Sequence, residues 1–183
     1  MGLALYDIDY SELYAEKGAA YRKDQIKSYS HYNESPGSPI VGDASKEIQR
    51  KSIDALISSS LAHGLSLRDT AHVLAIARLE SGFNPYAAAG TSSATGLGQF
   101  IDDTGKNYKI TDSTRWKIEV QADALVKHFT DNKARAMRNN LPEHHIYQLH
   151  HDGSPGYGVG LRLSNKYIMP KIGGIMHVIR KVF

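Results

Sequence analysis

The stretch VLAIARLESGFNP, residues 73–85, decides how the chain is read. Val73, Leu74, Ala75, Ile76, Ala77 and Leu79 make a helix apolar on nearly every side, and such a helix belongs inside a protein rather than on its surface. Glu80 nevertheless sits in its last turn. Ser-Gly-Phe-Asn-Pro follows at once as a stop, because glycine favours a left-handed helix end and Pro85 drives the preceding residue out of helical geometry. A carboxyl placed there loses hydration, which penalises its charged form. Kept protonated near neutral pH, it can donate a proton to a leaving oxygen. The alternative is a glutamate that reaches solvent or pairs with Arg78 or Arg68.

On either side of this stretch the chain is patterned as helices. Asp43 or Ser45 can cap a helix in which Ile53, Leu56, Ile57 and Leu61 recur at helical spacing until Gly64. Ser66-Leu67-Arg68-Asp69 is a capping-box-like start for the helix that carries Glu80. YAAAGTSSATGLGQF, residues 86–100, is too rich in Gly, Ser and Thr for a helix and predicts a loop or short hairpin. Residues 113–140 form the longest periodic stretch, with Trp116, Val120, Leu125 and Phe129 on or near one face. LPEHHIYQLHH predicts a helix with Pro142 at its first position, and a glycine-rich loop, DGSPGYGVG, follows. In the last segment Ile168, Ile172, Ile175, Met176, Ile179, Val182 and Phe183 keep a helical period. The expectation is a mainly α domain with a small β-hairpin after Glu80.

Residues 1–42 differ in character. They hold six of the eleven tyrosines (Tyr6, Tyr10, Tyr14, Tyr21, Tyr29 and Tyr32) and close on the Pro/Gly/Ser cluster NESPGSPIVGD. They are expected to be a helical extension and linker ahead of a domain at 43–183.

The bulk numbers narrow the function classes. The 183 residues suit one compact domain, and 41% hydrophobic with 22% charged residues is ordinary globular composition. No stretch approaches the ~18 apolar residues of a membrane span. The start, MGLALYDIDY, lacks the basic region of a secretory signal. The absence of cysteine rules out disulfides and thiolate metal sites. A net charge of +3 is mild for a nucleic-acid binder, and no nucleic-acid partner is expected, but it suits an anionic polymer. The histidines offer no i, i+4 pair for zinc, Leu97 stands where a phosphate loop needs lysine, and no Gly-x-Ser-x-Gly elbow is present.

Glu80-Ser81, Asn84-Pro85, Gly96-Leu97-Gly98-Gln99-Phe100 and Thr104 together resemble the lytic transglycosylase domain of the soluble (SLT) and goose-lysozyme-like group. The likeness is good from about Ile48 to Phe129, weaker to Gly153, and absent before Asp43. The resemblance implies a lysozyme-like fold. It implies that Glu80 is the single catalytic acid/base, that Ser81 helps set the helix end, that Gln99 bonds the sugar near the scissile bond, and that Gly96, Leu97 and Phe100 shape the cleft wall. The family's Ala-Tyr-Asn-x-Gly motif corresponds to Leu149-His150-His151-Asp152-Gly153. That puts His150 where the family's tyrosine stands, and leaves Tyr147, one turn earlier, as the other candidate. Gly90 occupies the place of a serine that binds the N-acetyl group, a role Thr91, Ser92 or Ser93 can fill. Gly98 replaces a methionine.

The resemblance also implies a reaction. Hydrolytic glycosidases generally use two carboxylates, yet no Asp or Glu lies between Glu80 and Gln99, and Asp102 and Asp103 read as surface or capping groups. One acid/base acting alone suits closure of a 1,6-anhydro ring on N-acetylmuramic acid, with no cofactor or metal. The expected partner is peptidoglycan and the expected state a monomer. The expected setting is that of a phage endolysin, held in the host cytoplasm and acting on the wall in the periplasm. A hydrolytic muramidase, a virion- or secretion-associated wall-opening enzyme and an idle glycan-binding module are the rivals. The tail adds another. Lys166, Lys171, Arg180 and Lys181, with no acid between residues 166 and 183, allow either a membrane-active helix that contacts an anionic outer membrane or a helix that closes the core.

Overall fold

The computed structural model describes residues 5–16, 44–88, 92–156 and 158–183. Seven α-helices are present among them: α1 Lys46–Ala62, α2 Leu67–Ser81, α3 Asp102–Lys106, α4 Ile118–Arg138, α5 His145–Asp152, α6 Val159–Leu163 and α7 Met169–Ile179. The caps are those the sequence predicts. Ser45 Oγ accepts the Ile48 amide ahead of α1, and Ser66 Oγ accepts the Asp69 amide ahead of α2.

Helix α2 is the axis of the fold. Ala71, His72, Val73, Leu74, Ala75, Ile76, Ala77 and Leu79 are all buried, so every side of the helix has a neighbour. Helices α1, α4 and α7 lie against it, α1 also packs on α4, and α5 packs on α4 and α6. This mainly helical arrangement follows from the patterning: an all-apolar helix is stable only when amphipathic helices surround it.

Three expectations change. The hairpin is not formed among the described residues, where only isolated bridges join Ala88 to Thr95 and Thr95 to Phe100. Glycines and a left-handed Gln99 fold the segment into a turn, too tight to pair as strands. Pro142 does not open α5. The i→i+3 bonds from His145 N to Pro142 O and from Ile146 N to Glu143 O make a tighter turn first. Trp116 lies ahead of α4, its ring 6.4 Å from that of Tyr86. In the N-terminal segment, the described residues include a 3-10 turn at Leu5–Asp7, and the rest of the expected extension, 17–42, lies outside the described residues.

That segment nonetheless joins the core. Ile8, Tyr10 and Leu13 are buried there, and Tyr10 Oη donates to Asp54 at 2.8 Å. Gln49 accepts the Ala15 amide and donates to the Ala15 and Ala44 carbonyls. Tyr21, Tyr29 and Tyr32 lie outside the described residues.

The tail also closes the core. Ile172, Ile175 and Ile179 of α7 are buried against the rest of the molecule, with a π-helical turn at Ser164–Ile168 leading into the helix. The apolar face is therefore occupied by protein. No helix among the described residues is long and apolar enough to cross a membrane.

Candidate active site

The end of α2 fixes the acid. The chain reverses at Gly82 (φ 61°) and Phe83 (φ 59°), with the Gly82 amide donating to the Arg78 carbonyl at 3.1 Å. Glu80 is left one residue inside the helix end at 8% exposure. The cations considered as its partners are engaged elsewhere. Arg68 grips both oxygens of Glu143, and Arg78 donates to the carbonyls of Leu13 and Tyr14.

The Gly96–Phe100 turn lies beside this helix end. Ser81 Oγ shares its one proton between its own helix at Ala77 O (2.9 Å) and, across the gap, Leu97 O (3.1 Å). Gly96 (φ 76°) and Gln99 (φ 50°) both take the left-handed conformation, which is strained for glutamine. Gln99 Nε2 folds back to Gly96 O at 3.0 Å and approaches Ala87 O at 3.4 Å. The glycine at 98 has a local cause: a Cβ there would lie 2.8 Å from the Phe100 ring and 3.0 Å from Leu125 Cδ1. Leu97 and Phe100 are buried, and the Phe100 ring rests against those of Tyr108, His128 and His150.

Helix α5 brings the phenol. Tyr147 Oη donates to Glu80 Oε1 at 2.5 Å. His150 does not take that place. Its Nε2 donates to the Gly98 carbonyl at 3.0 Å, and its ring stacks 5.9 Å from that of Tyr147. Residues i and i+3 share a helix face, so α5 touches the acid with one side chain and the Gly96–Phe100 turn with the other.

A cavity of about 230 Å³ opens next to Gln99, lined among others by Gly98, Phe100, Thr104, His128, His150 and His151. Burial holds the His128 imidazole down to about 4, with Asp131 acting in the opposite sense. His150 is pushed well below the usual imidazole range, first by burial and then by the neighbouring His128. Both rings are therefore neutral at pH 7.

The other named positions are more peripheral. Ser92 Oγ accepts the Ala94 amide at 3.3 Å and Ser93 Oγ accepts the Asp102 amide at 3.1 Å. Gly90 and Thr91 lie outside the described residues. Asp102 is paired with the buried Arg115 guanidinium at 2.9 Å, and Asp103 with Lys106 at 3.5 Å. Among the described residues no cluster of three or more His, Asp or Glu is arranged to hold a metal ion.

Sequence reasoning missed Gln121. Its Oε1 accepts the Leu97 amide at 2.8 Å, and its Nε2 donates to Pro85 O at 2.9 Å and Arg115 O at 2.6 Å. The available signal was a glutamine one residue before Ala122 and four before Leu125, on the apolar side of α4.

No curated protein and no solved structure matches the chain. The α2 helix, the turn that follows and the start of α4, which together hold Glu80, Ser81, Gln99 and Gln121, match over residues 67–122 the family model described as the Transglycosylase SLT domain.

Proposed function

We propose that the protein is a peptidoglycan lytic transglycosylase with Glu80 as its only acid/base. The observation that carries this reading is the placement of one buried carboxyl, bonded to Tyr147, at a helix end that Ser81 ties to the Gln99 turn. The family match supports a transglycosylase action on peptidoglycan. The linkage cut is the β-1,4 bond between N-acetylmuramic acid and N-acetylglucosamine.

The chemistry follows from the Glu80 environment. Burial disfavours a charged carboxyl, and Glu80 in its acid form protonates the glycosidic oxygen as the C1–O bond breaks. Tyr147 holds Oε1, so the transferred proton is assigned to the other carboxyl oxygen. The phenol then stabilises the carboxylate that forms, since a hydrogen bond to a charged acceptor is stronger than one to a neutral acceptor. The 2-acetamido group supports the developing positive charge at C1. The carboxylate next removes the proton of the muramyl C6 hydroxyl as the C1–O6 bond closes, which regenerates the acid without water. Gln99 contacts the sugar beside the scissile bond. Asp102 is engaged by Arg115, which supports a one-carboxylate route over a two-carboxylate hydrolysis.

Mass spectrometry of the muropeptides released from purified peptidoglycan tests the reading. Anhydro-muropeptides are expected from the wild-type chain and none from Glu80→Gln. Reducing-end products one water heavier would establish hydrolysis instead.

The biological setting we propose is host lysis by a phage endolysin. Expression in a bacterial host together with a pore-forming membrane protein is expected to lyse the culture only when Glu80 is present. Lysis by Glu80→Gln would point to membrane activity.

A further inference from the structure

We propose that Gln121 is a positioning residue that holds the strained Gln99 turn against the end of the acid helix, and so sets how the sugar is gripped beside Glu80. The proposal rests on the transglycosylase reading and adds a residue to its machinery.

Three segments that are separate in sequence converge on one carboxamide. Gln121 is 1% exposed and uses its acceptor on Leu97 N, inside the turn, and its two donors on Pro85 O, just past the acid helix, and on Arg115 O, ahead of α4. Its fit to the turn is close, because a Cβ on Gly96 would stand 2.5 Å from Gln121 Oε1. The turn needs such a hold. Gln99 occupies a conformation that an L side chain rarely adopts, and such conformations persist only where the surroundings over-determine them. Ser81 and His150 secure the next carbonyls, Leu97 O and Gly98 O, while Gln121 reaches across from α4 to hold the Leu97 amide.

The molecule contains its own control. Gln49 is 2% exposed and has the same inventory of bonds, one accepted and two donated, on Ala15 and Ala44, which belong to neither the acid helix nor the turn. Replacing either glutamine with methionine keeps the volume and removes three hydrogen bonds. A merely structural role for Gln121 therefore predicts equal behaviour of Gln121→Met and Gln49→Met.

The test compares both variants with wild type below their unfolding transitions. Amide hydrogen exchange at Leu97 is the first readout, and KM and kcat on soluble glycan strands the second. The expected result is that Gln121→Met exchanges the Leu97 amide at least about tenfold faster than Gln49→Met does. Its KM is expected to rise at least about fivefold, while Gln49→Met stays within about twofold of wild type. Gln121→Asn, too short to span from α4 to the turn, is read the same way if the methionine variant does not fold. Equal exchange at Leu97 in the Gln121 and Gln49 variants, or an unchanged KM, overturns the proposal. A wild-type chain that leaves peptidoglycan intact defeats the transglycosylase reading instead, and the exchange arm still decides whether Gln121 holds the turn.

Discussion

Ser81 and Leu97, 16 residues apart, are joined by a 3.1 Å hydrogen bond from the Ser81 hydroxyl to the Leu97 carbonyl. The serine next to the acid and the turn that carries Gln99 are thus one mechanical unit. Removing the hydroxyl in Ser81→Ala leaves a buried carbonyl short of a partner, which costs about 1–3 kcal/mol. Thermal unfolding should show this loss, and glycan cleavage should weaken at temperatures where the variant is still folded.

Glu80→Gln keeps the size of the side chain and removes the proton donor. Cleavage of purified peptidoglycan is expected to fall by about 10²–10⁴-fold, the usual worth of a general acid. Sedimentation with insoluble peptidoglycan is expected to be unchanged. Loss of binding in step with activity would show that Glu80 serves substrate attachment rather than chemistry.

Tyr147→Phe deletes the 2.5 Å bond to Glu80 and keeps the ring that stacks on His150. A hydrogen bond to a charged group contributes about 1.5–3 kcal/mol, so kcat should drop by about 10–100-fold with KM little changed. His150→Phe, which touches the Gly98 carbonyl rather than the acid, should raise KM instead. The reverse pattern would return the tyrosine role to position 150.

Acid should destabilise the fold in two successive, slightly overlapping windows. His128 binds a proton near 6.5 when unfolded but only at about 4 when folded. Between those values the unfolded chain holds more protons, so stability falls as the pH drops from about 6.5 to about 4. His128→Phe should flatten part of that decline in urea melts taken at stepped pH. His150 and His144, both shifted in the same direction by burial, contribute to the remainder.

The second window lies lower. Glu143 is held down to about 2 by the neighbouring His72 and by Arg68, whose guanidinium is 2.7 Å away. Its folded value is depressed, so its contribution is fully present above about 4.5 and is lost as the pH falls from there toward about 2. Glu143→Gln should remove that lower slope and leave the upper one intact. The pair ties the start of α2 to the turn before α5, so the variant should also unfold at a lower temperature at neutral pH.

Some features were legible because they depend on neighbours along the chain. The Ser45 and Ser66 caps, the stop at Gly82 and the buried status of α2 follow from local spacing and propensity, which act over a few residues. The pairing of acid and glutamine was legible only through the Glu80-Ser81 and Gly96–Phe100 motifs. Turn composition misjudged the hairpin, and the proline preference misjudged the start of α5, since a left-handed Gln99 and a tight turn at Pro142 reflect tertiary contacts rather than local preference.

The amino-acid sequence by itself determined that a helix apolar on all sides would be buried and that it would end just after Glu80. Only the tertiary structure decided that Tyr147 rather than His150 meets the acid, that Gln121 spans to the Leu97 amide, and that the tail helix spends its apolar face on α2. The physical reason is one of range. Backbone propensity and hydrophobic period act within a turn or two of helix, whereas a hydrogen bond between residues 24 or 67 positions apart depends on how whole helices pack.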